Sequence, residues 1–133
     1  MRLSDAIRLN GMMLPQGFGA DSVVNPNAPC AIGGALIAVG KDLTVLDWMM
    51  HGENNVYGVF RREWPWIASV RPVMCPTCSE ARGGVDYVIF HLNDGHRWSR
   101  NQIADWVATI EPRDIEVSEA VDQDELLLCE MVR

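Results

Sequence analysis

No stretch of 18 apolar residues occurs in this chain, so a membrane-spanning helix is not expected. The opening residues, Met1-Arg2-Leu3-Ser4-Asp5, carry no apolar signal-peptide core. The expectation is a cytoplasmic protein, or one that reaches its destination by assembly, and no membrane partner. There is no P-loop, no G-x-G-x-x-G turn and no serine in a nucleophile elbow. Phosphate-cradling, dinucleotide and serine-hydrolase chemistry therefore lack their residues, and the chain is expected to be no enzyme. Internal repeats are absent too. Base is scarce: 11 Lys and Arg stand against 18 Asp and Glu, a net charge of −7. The imbalance is local. Residues 1–110 hold ten acids and nine bases, whereas residues 111–133 hold eight acids and two bases. A near-neutral body gives little non-specific attraction to phosphate, and an acidic C-terminal segment repels nucleic acid unless it folds away.

What the chain has is a core. At 133 residues, almost half of them hydrophobic, it is read as a single domain over 1–133 that does not need metal for bulk stability. Five tryptophans and seven methionines are many for this length. Most of the rings are expected in or half in the core, and some at a partner surface. Four cysteines in a reducing compartment favour thiols or metal over disulfides. Cys30 lies in an apolar stretch and reads as a small core residue.

The periodicity predicts a mainly α fold, with a small α+β arrangement as the alternative. Ser4 is placed to cap a first helix running to about Asn10, with Leu3, Ile7 and Leu9 or Met12 inward. Residues 15–29 (PQGFGADSVVNPNAP) read as a long loop. A second helix, roughly Cys30 to Val39, follows Pro29. Its Gly33, Gly34 and alanines weaken the helix but permit close packing, and Gly40 stops it. Residues 43–50 suit a helix or a short strand, and His51 sits alone in a turn. The aromatic-rich segment 56–67 breaks at Trp64-Pro65-Trp66. Residues 67–74 are β-prone but short. Val85, Val88, Ile89 and Leu92 repeat at helical spacing. Ser99 with Gln102 then forms a capping box for a helix to about Ile110, with Ile103, Trp106, Val107 and Ile110 on one face. Segment 85–110 reads as a helix-turn-helix-like hairpin packed by Trp98 and Trp106. Residues 124–132 suit one more helix or a strand.

One constellation carries specific chemistry. Cys75, Cys78, His91 and His96 stand in the order C-x₂-C-x₁₂-H-x₄-H, the ligand spacing of a C₂H₂ zinc site. Two sulfurs and two imidazoles favour tetrahedral Zn²⁺, and four protein ligands make such a site structural. Five residues turn an ideal helix by about 140° beyond a full turn. His96 therefore converges with His91 only if the last turn tightens or Gly95 bends the chain. The alternative is a CxxC turn with two unrelated histidines. Residues 75–98 are the zinc-site segment on this reading, packed against helix 99–110. The segment departs from a DNA-reading finger. No aromatic follows Cys78 until Tyr87, and its helix carries Asp86, Asn93 and Asp94 with no base before Arg97. Two other readings use neighbouring residues. Arg97, Arg100, Asn101 and Gln102 cluster at a helix start and would serve a DNA-binding regulator, or merely a solvated cap. The cysteine pair alone would serve a thiol redox protein.

The block CPTC…HLNDGHRWSRNQIADWV, within residues 75–107, resembles one that recurs in small uncharacterised proteins of bacteria and their phages. The stretch Cys30 to Leu36 resembles an upstream part of the same proteins. The resemblance implies a coherent unit, and phage membership implies a virion-associated or host-interaction role. The sequence thus leads to a small non-enzymatic protein with a structural Zn²⁺, acting in protein–protein interaction or assembly, with a protein partner or a homo-oligomer.

Overall fold

The computed structural model describes residues 1–70, 72–78 and 82–113. The helix or strand expected over 124–132, Cys129 and all of the acidic segment beyond Arg113 lie outside the described residues. The fold is mainly α. Its elements are α1 (Leu3–Gly11), α2 (Ala31–Ala38), α3 (Val56–Glu63), β1 (Val73–Met74), β2 (Arg82–Gly83), α4 (Val85–Phe90) and α5 (Arg100–Ile110). Short 3₁₀ turns occupy Ala20–Val24, Leu43–Val45 and Pro65–Ser69. One apolar core gathers Leu3, Ile7, Ile32, Leu36, Phe60, Ile89, Leu92 and Ile103.

α1 lies centrally, between α2 and α5, and α4 rests on α2. Helix α5 chiefly meets α1, and it meets the zinc-site segment at the turn His91–Gly95. Trp98 of that segment also lies beside α5, lining an open depression with Gln102, Asp105, Trp106 and Thr109. Ile103, Ala104 and Val107 of α5 are buried, as are Val85, Val88, Ile89 and Leu92. Trp64 and Trp66 are buried, and Trp48, Trp98 and Trp106 are half-buried against the core.

Two expectations for α1 are corrected. Ser4 is not its cap, because the helix already begins at Leu3 with Arg2 in the capping position. Glu111, just past α5, fills that role from across the chain. Its carboxylate accepts from the Ser4 backbone N–H at 3.3 Å and from the Ser4 hydroxyl, and pairs with Arg2 at 2.9 Å. A buried carboxylate at a helix N-terminus satisfies orphan donors and opposes the dipole favourably. Nor do Leu9 and Met12 point inward: both are exposed, and the polar Asn10 is buried instead.

Helix α2 shows why glycine was needed there. A Cβ on Gly34 would lie 2.5 Å from Asn10 Oδ1 on α1, and one on Gly33 would lie 2.5 Å from the Val23 carbonyl oxygen. The close approach outweighs the propensity cost of about 1 kcal/mol per glycine. Gly40 ends the helix at φ +89°, with its own N–H bonded to Ile37 and that of Lys41 bonded to Leu36. Gly33→Ala should therefore destabilise despite its better helix propensity. Overpacking against a backbone oxygen costs about 1–3 kcal/mol, and urea unfolding would read it. A variant as stable as the parent would refute the close-approach account.

Elsewhere the irregular segments take more structure than their composition advertises. Segment 43–50 forms neither a full helix nor a strand, only the 3₁₀ turn and a single bridge between Asp47 and Asn55. Asn55 then caps α3 by accepting from the Tyr57 and Gly58 N–H groups. His51 is exposed.

Candidate metal centre

β1 and β2 pair antiparallel, Val73 opposite Gly83 and Met74 opposite Arg82. Cys75 and Cys78 sit in the turn they frame, and α4 follows directly. The segment is thus a ββα unit with the cysteines on its hairpin and the histidines at the far end of its helix. The Thr77 backbone N–H points at Cys75 Sγ, 3.4 Å away, the kind of donor that supports a thiolate. Cys75 is buried and the other three residues are partly buried.

The histidines converge by a route the spacing did not reveal. After Phe90 the helix widens rather than tightens: His91–Gly95 is a π-helical turn, closed by His96 N–H to the His91 carbonyl at 3.2 Å. A bond that spans five residues brings residues five apart nearly into line. Gly95 lies beside the His91 ring, where a Cβ would make ordinary contact at 3.4 Å. The chain leaves the turn through Arg97 at φ 55°, and Trp98 N–H returns to the Leu92 carbonyl.

The four ligand atoms lie within 4.8 Å of one another. Cys78 Sγ is 3.4 Å from His91 Nε2, and the two Nε2 atoms are 3.1 Å apart, with the rings edge to face. A tetrahedral ion with metal–sulfur bonds of about 2.3 Å and metal–nitrogen bonds of about 2.0–2.1 Å has edges of about 3.5 Å between S and N and about 3.3 Å between N and N. These two edges and the chemistry of the donors fit an ion of zinc's size. An ion held by all four residues would have a closed shell.

A polar collar holds the histidine turn. Asn93, fully buried between the two ligands, accepts from Gln16 Nε2 at 2.8 Å and from the Ala31 N–H at 3.1 Å, and donates to the Gly17 carbonyl at 3.0 Å. Asp94 accepts from the Gly19 N–H, and Arg97 lies over the Phe18 ring, 4.2 Å from its centre. The segment 15–29, expected as a loop, is thus the strap that fixes the metal-ligand turn to the N-terminus of α2. Sequence reasoning missed Asn93 and Gln16. The available signal was an Asn-Asp pair between two ligands, inside an otherwise apolar helical run.

The residues of the nucleic-acid alternative are dispersed in role. Arg100 is 5% exposed, and its guanidinium donates to Asn10 Oδ1, the Pro29 carbonyl and the Leu14 carbonyl. Gln102 closes the predicted capping box with Ser99. Arg97 and Asn101 remain exposed. Two of the four side chains are thus hydrogen-bonded within the protein, and Arg97 stacks on Phe18.

No family model, no curated protein and no solved structure matches this chain.

Proposed function

We propose that this protein is a non-enzymatic interaction or assembly module whose ββα segment is stapled by a structural Zn²⁺ on Cys75, Cys78, His91 and His96. The observation that carries it is the convergence of four soft and borderline ligand atoms within 4.8 Å, with spacings near those of a closed tetrahedron. A closed site shapes the fold and performs no chemistry. The surface supports an interaction role. Met12, Met13, Met49 and Met50 are 63–82% exposed, and adaptable methionines are over-used at binding surfaces. Trp98 and Trp106 line an open depression with Gln102, Asp105 and Thr109. The partner on this reading is another protein or a second copy of the chain, in a virion or in the host cytoplasm. No helix among the described residues is long and apolar enough to cross a membrane.

Elemental analysis of the freshly purified, reduced protein should find about one zinc per chain, and Cys78→Ser should lose it. Absence of metal from the wild type would overturn the staple. Sedimentation should show a discrete oligomer or a stable complex, and a monomer with no partner would count against the interaction role. The redox reading has weaker support. The cysteines lie in a hairpin turn rather than at a helix N-terminus, because α4 starts only at Val85.

A further inference from the structure

Helices α3 and α4 border a cleft of about 500 Å³ lined by Tyr57, Arg61, Gly84, Asp86, Tyr87 and Phe90. Its size falls in the range of about 300–1,000 Å³ typical of small-molecule sites. It shares no residue with the metal centre. Asp86 is buried, and both of its carboxylate oxygens are engaged: Oδ1 accepts from the Tyr87 N–H at 3.0 Å, and Oδ2 meets Arg61 Nε at 3.2 Å. That contact holds the guanidinium by its Nε edge. Among the described residues, the two Nη groups of Arg61 and the hydroxyls of Tyr57 and Tyr87 make no hydrogen bond. Burial pushes the Tyr57 phenol up to about 12, so it stays a donor at neutral pH. The cleft therefore combines aromatic walls with side-chain donors that make no hydrogen bond among the described residues.

We infer that this cleft binds a small ligand with a flat apolar body and one anionic head, a carboxylate or a phosphate. The head would take the fork of Arg61 Nη groups with a tyrosine hydroxyl, and the body would lie against Tyr87 and Phe90. Guanidinium recognises such oxyanions through paired N–H donors. A cationic ligand is disfavoured. It would meet the Arg61 charge, and Asp86, the one carboxylate lining the cleft among the described residues, is already committed to that arginine.

Amide NMR titration of the full-length protein tests this with four probes: indole-3-acetate, adenosine monophosphate, uncharged indole and benzyltrimethylammonium. At least one anionic probe should give saturable shifts at Gly84, Asp86 and Tyr87, with affinity about tenfold above that of indole. Whichever anion binds identifies carboxylate or phosphate as the head group. Arg61→Gln should abolish the preference while leaving the remaining resonances in place. Tyr57→Phe keeps the ring, removes one donor, and should weaken binding about threefold to tenfold even if Arg61→Gln fails to fold. The inference is overturned if indole or the ammonium binds as tightly as both anions, or if neither anion saturates by about 5 mM. Unchanged anion affinity in both variants would overturn it as well.

Discussion

Chelating the proposed Zn²⁺ under reducing conditions should lower the melting temperature by about 10–20 °C and release amide-exchange protection in residues 73–78, 82–83 and 91–96. The expectation follows from how little local structure this segment has of its own. Each strand has two residues, and α4 has six. Isolated hairpins are marginal, and isolated helices shorter than about 12–15 residues do not persist in water. The π-helical turn is a rare conformation with poorer backbone bonding. Apolar burial of Val85, Val88, Ile89 and Leu92 holds α4 to the core. The CxxC turn reaches the core through buried Cys75 and partly buried Cys78. An ion bound a thousandfold above its dissociation constant contributes about 4 kcal/mol. Protection in α1, α2 and α5 should survive, because their contacts run through the core rather than through the metal. Equal melting temperatures and exchange patterns with and without metal would refute the staple, whatever the metal content of the purified protein.

Much of this site was legible because ligand type and spacing are written in single residues. CxxC demands a turn, four apolar positions at helical spacing demand a helix, and the histidines fall at its end. The manner of convergence was not legible. Tightening, bending and widening a last turn differ by one hydrogen bond, and the selection is made by tertiary partners. Here Asn93 binds Gln16, Gly17 and Ala31 in the widened form that the fold presents. The same limit explains Ser4. Locally it is a good N-cap, but Glu111, over a hundred residues away, supplies a charged acceptor to the Ser4 N–H and hydroxyl. The glycines of α2 were legible as a close-packing signal because small residues have few other uses in a helix. Their neighbours, a buried asparagine and a backbone carbonyl, were not.

Arg100 shows how a residue type can point the wrong way, and its substitution should have the second large effect. At a helix start, beside Arg97 and Asn101, an arginine invites a phosphate. The structure turns it inward instead. Its guanidinium joins the end of α1 at Asn10, the chain at Leu14 and the Pro29 carbonyl just before α2. Gly11 lies alongside it, and a Cβ there would make ordinary contact with Arg100 Cβ at 3.5 Å. Burial pulls the guanidinium pKa below its ordinary range, yet hydrogen-bonded carbonyls keep it a useful donor. Arg100→Ala would leave Asn10 Oδ1 and the Leu14 carbonyl without a donor, while the Pro29 carbonyl keeps the Gly17 N–H. At about 1–3 kcal/mol for each unsatisfied buried group, a loss of roughly 4 kcal/mol is expected. That is a large part of the 5–15 kcal/mol typical of a domain. Arg100→Lys should cost about 2 kcal/mol, because an ammonium cannot span both sides of the fork. Arg97→Ala, which removes only the exposed stacking on Phe18, should cost about 0.5–1 kcal/mol. Urea unfolding orders the three variants, and binding to duplex DNA at low salt completes the comparison. A stable Arg100→Ala protein that has lost DNA affinity would reverse the assignment, making Arg100 a phosphate ligand. The inward geometry calls for the opposite result: stability falls steeply at Arg100, little at Arg97, and neither change reveals a DNA-binding function.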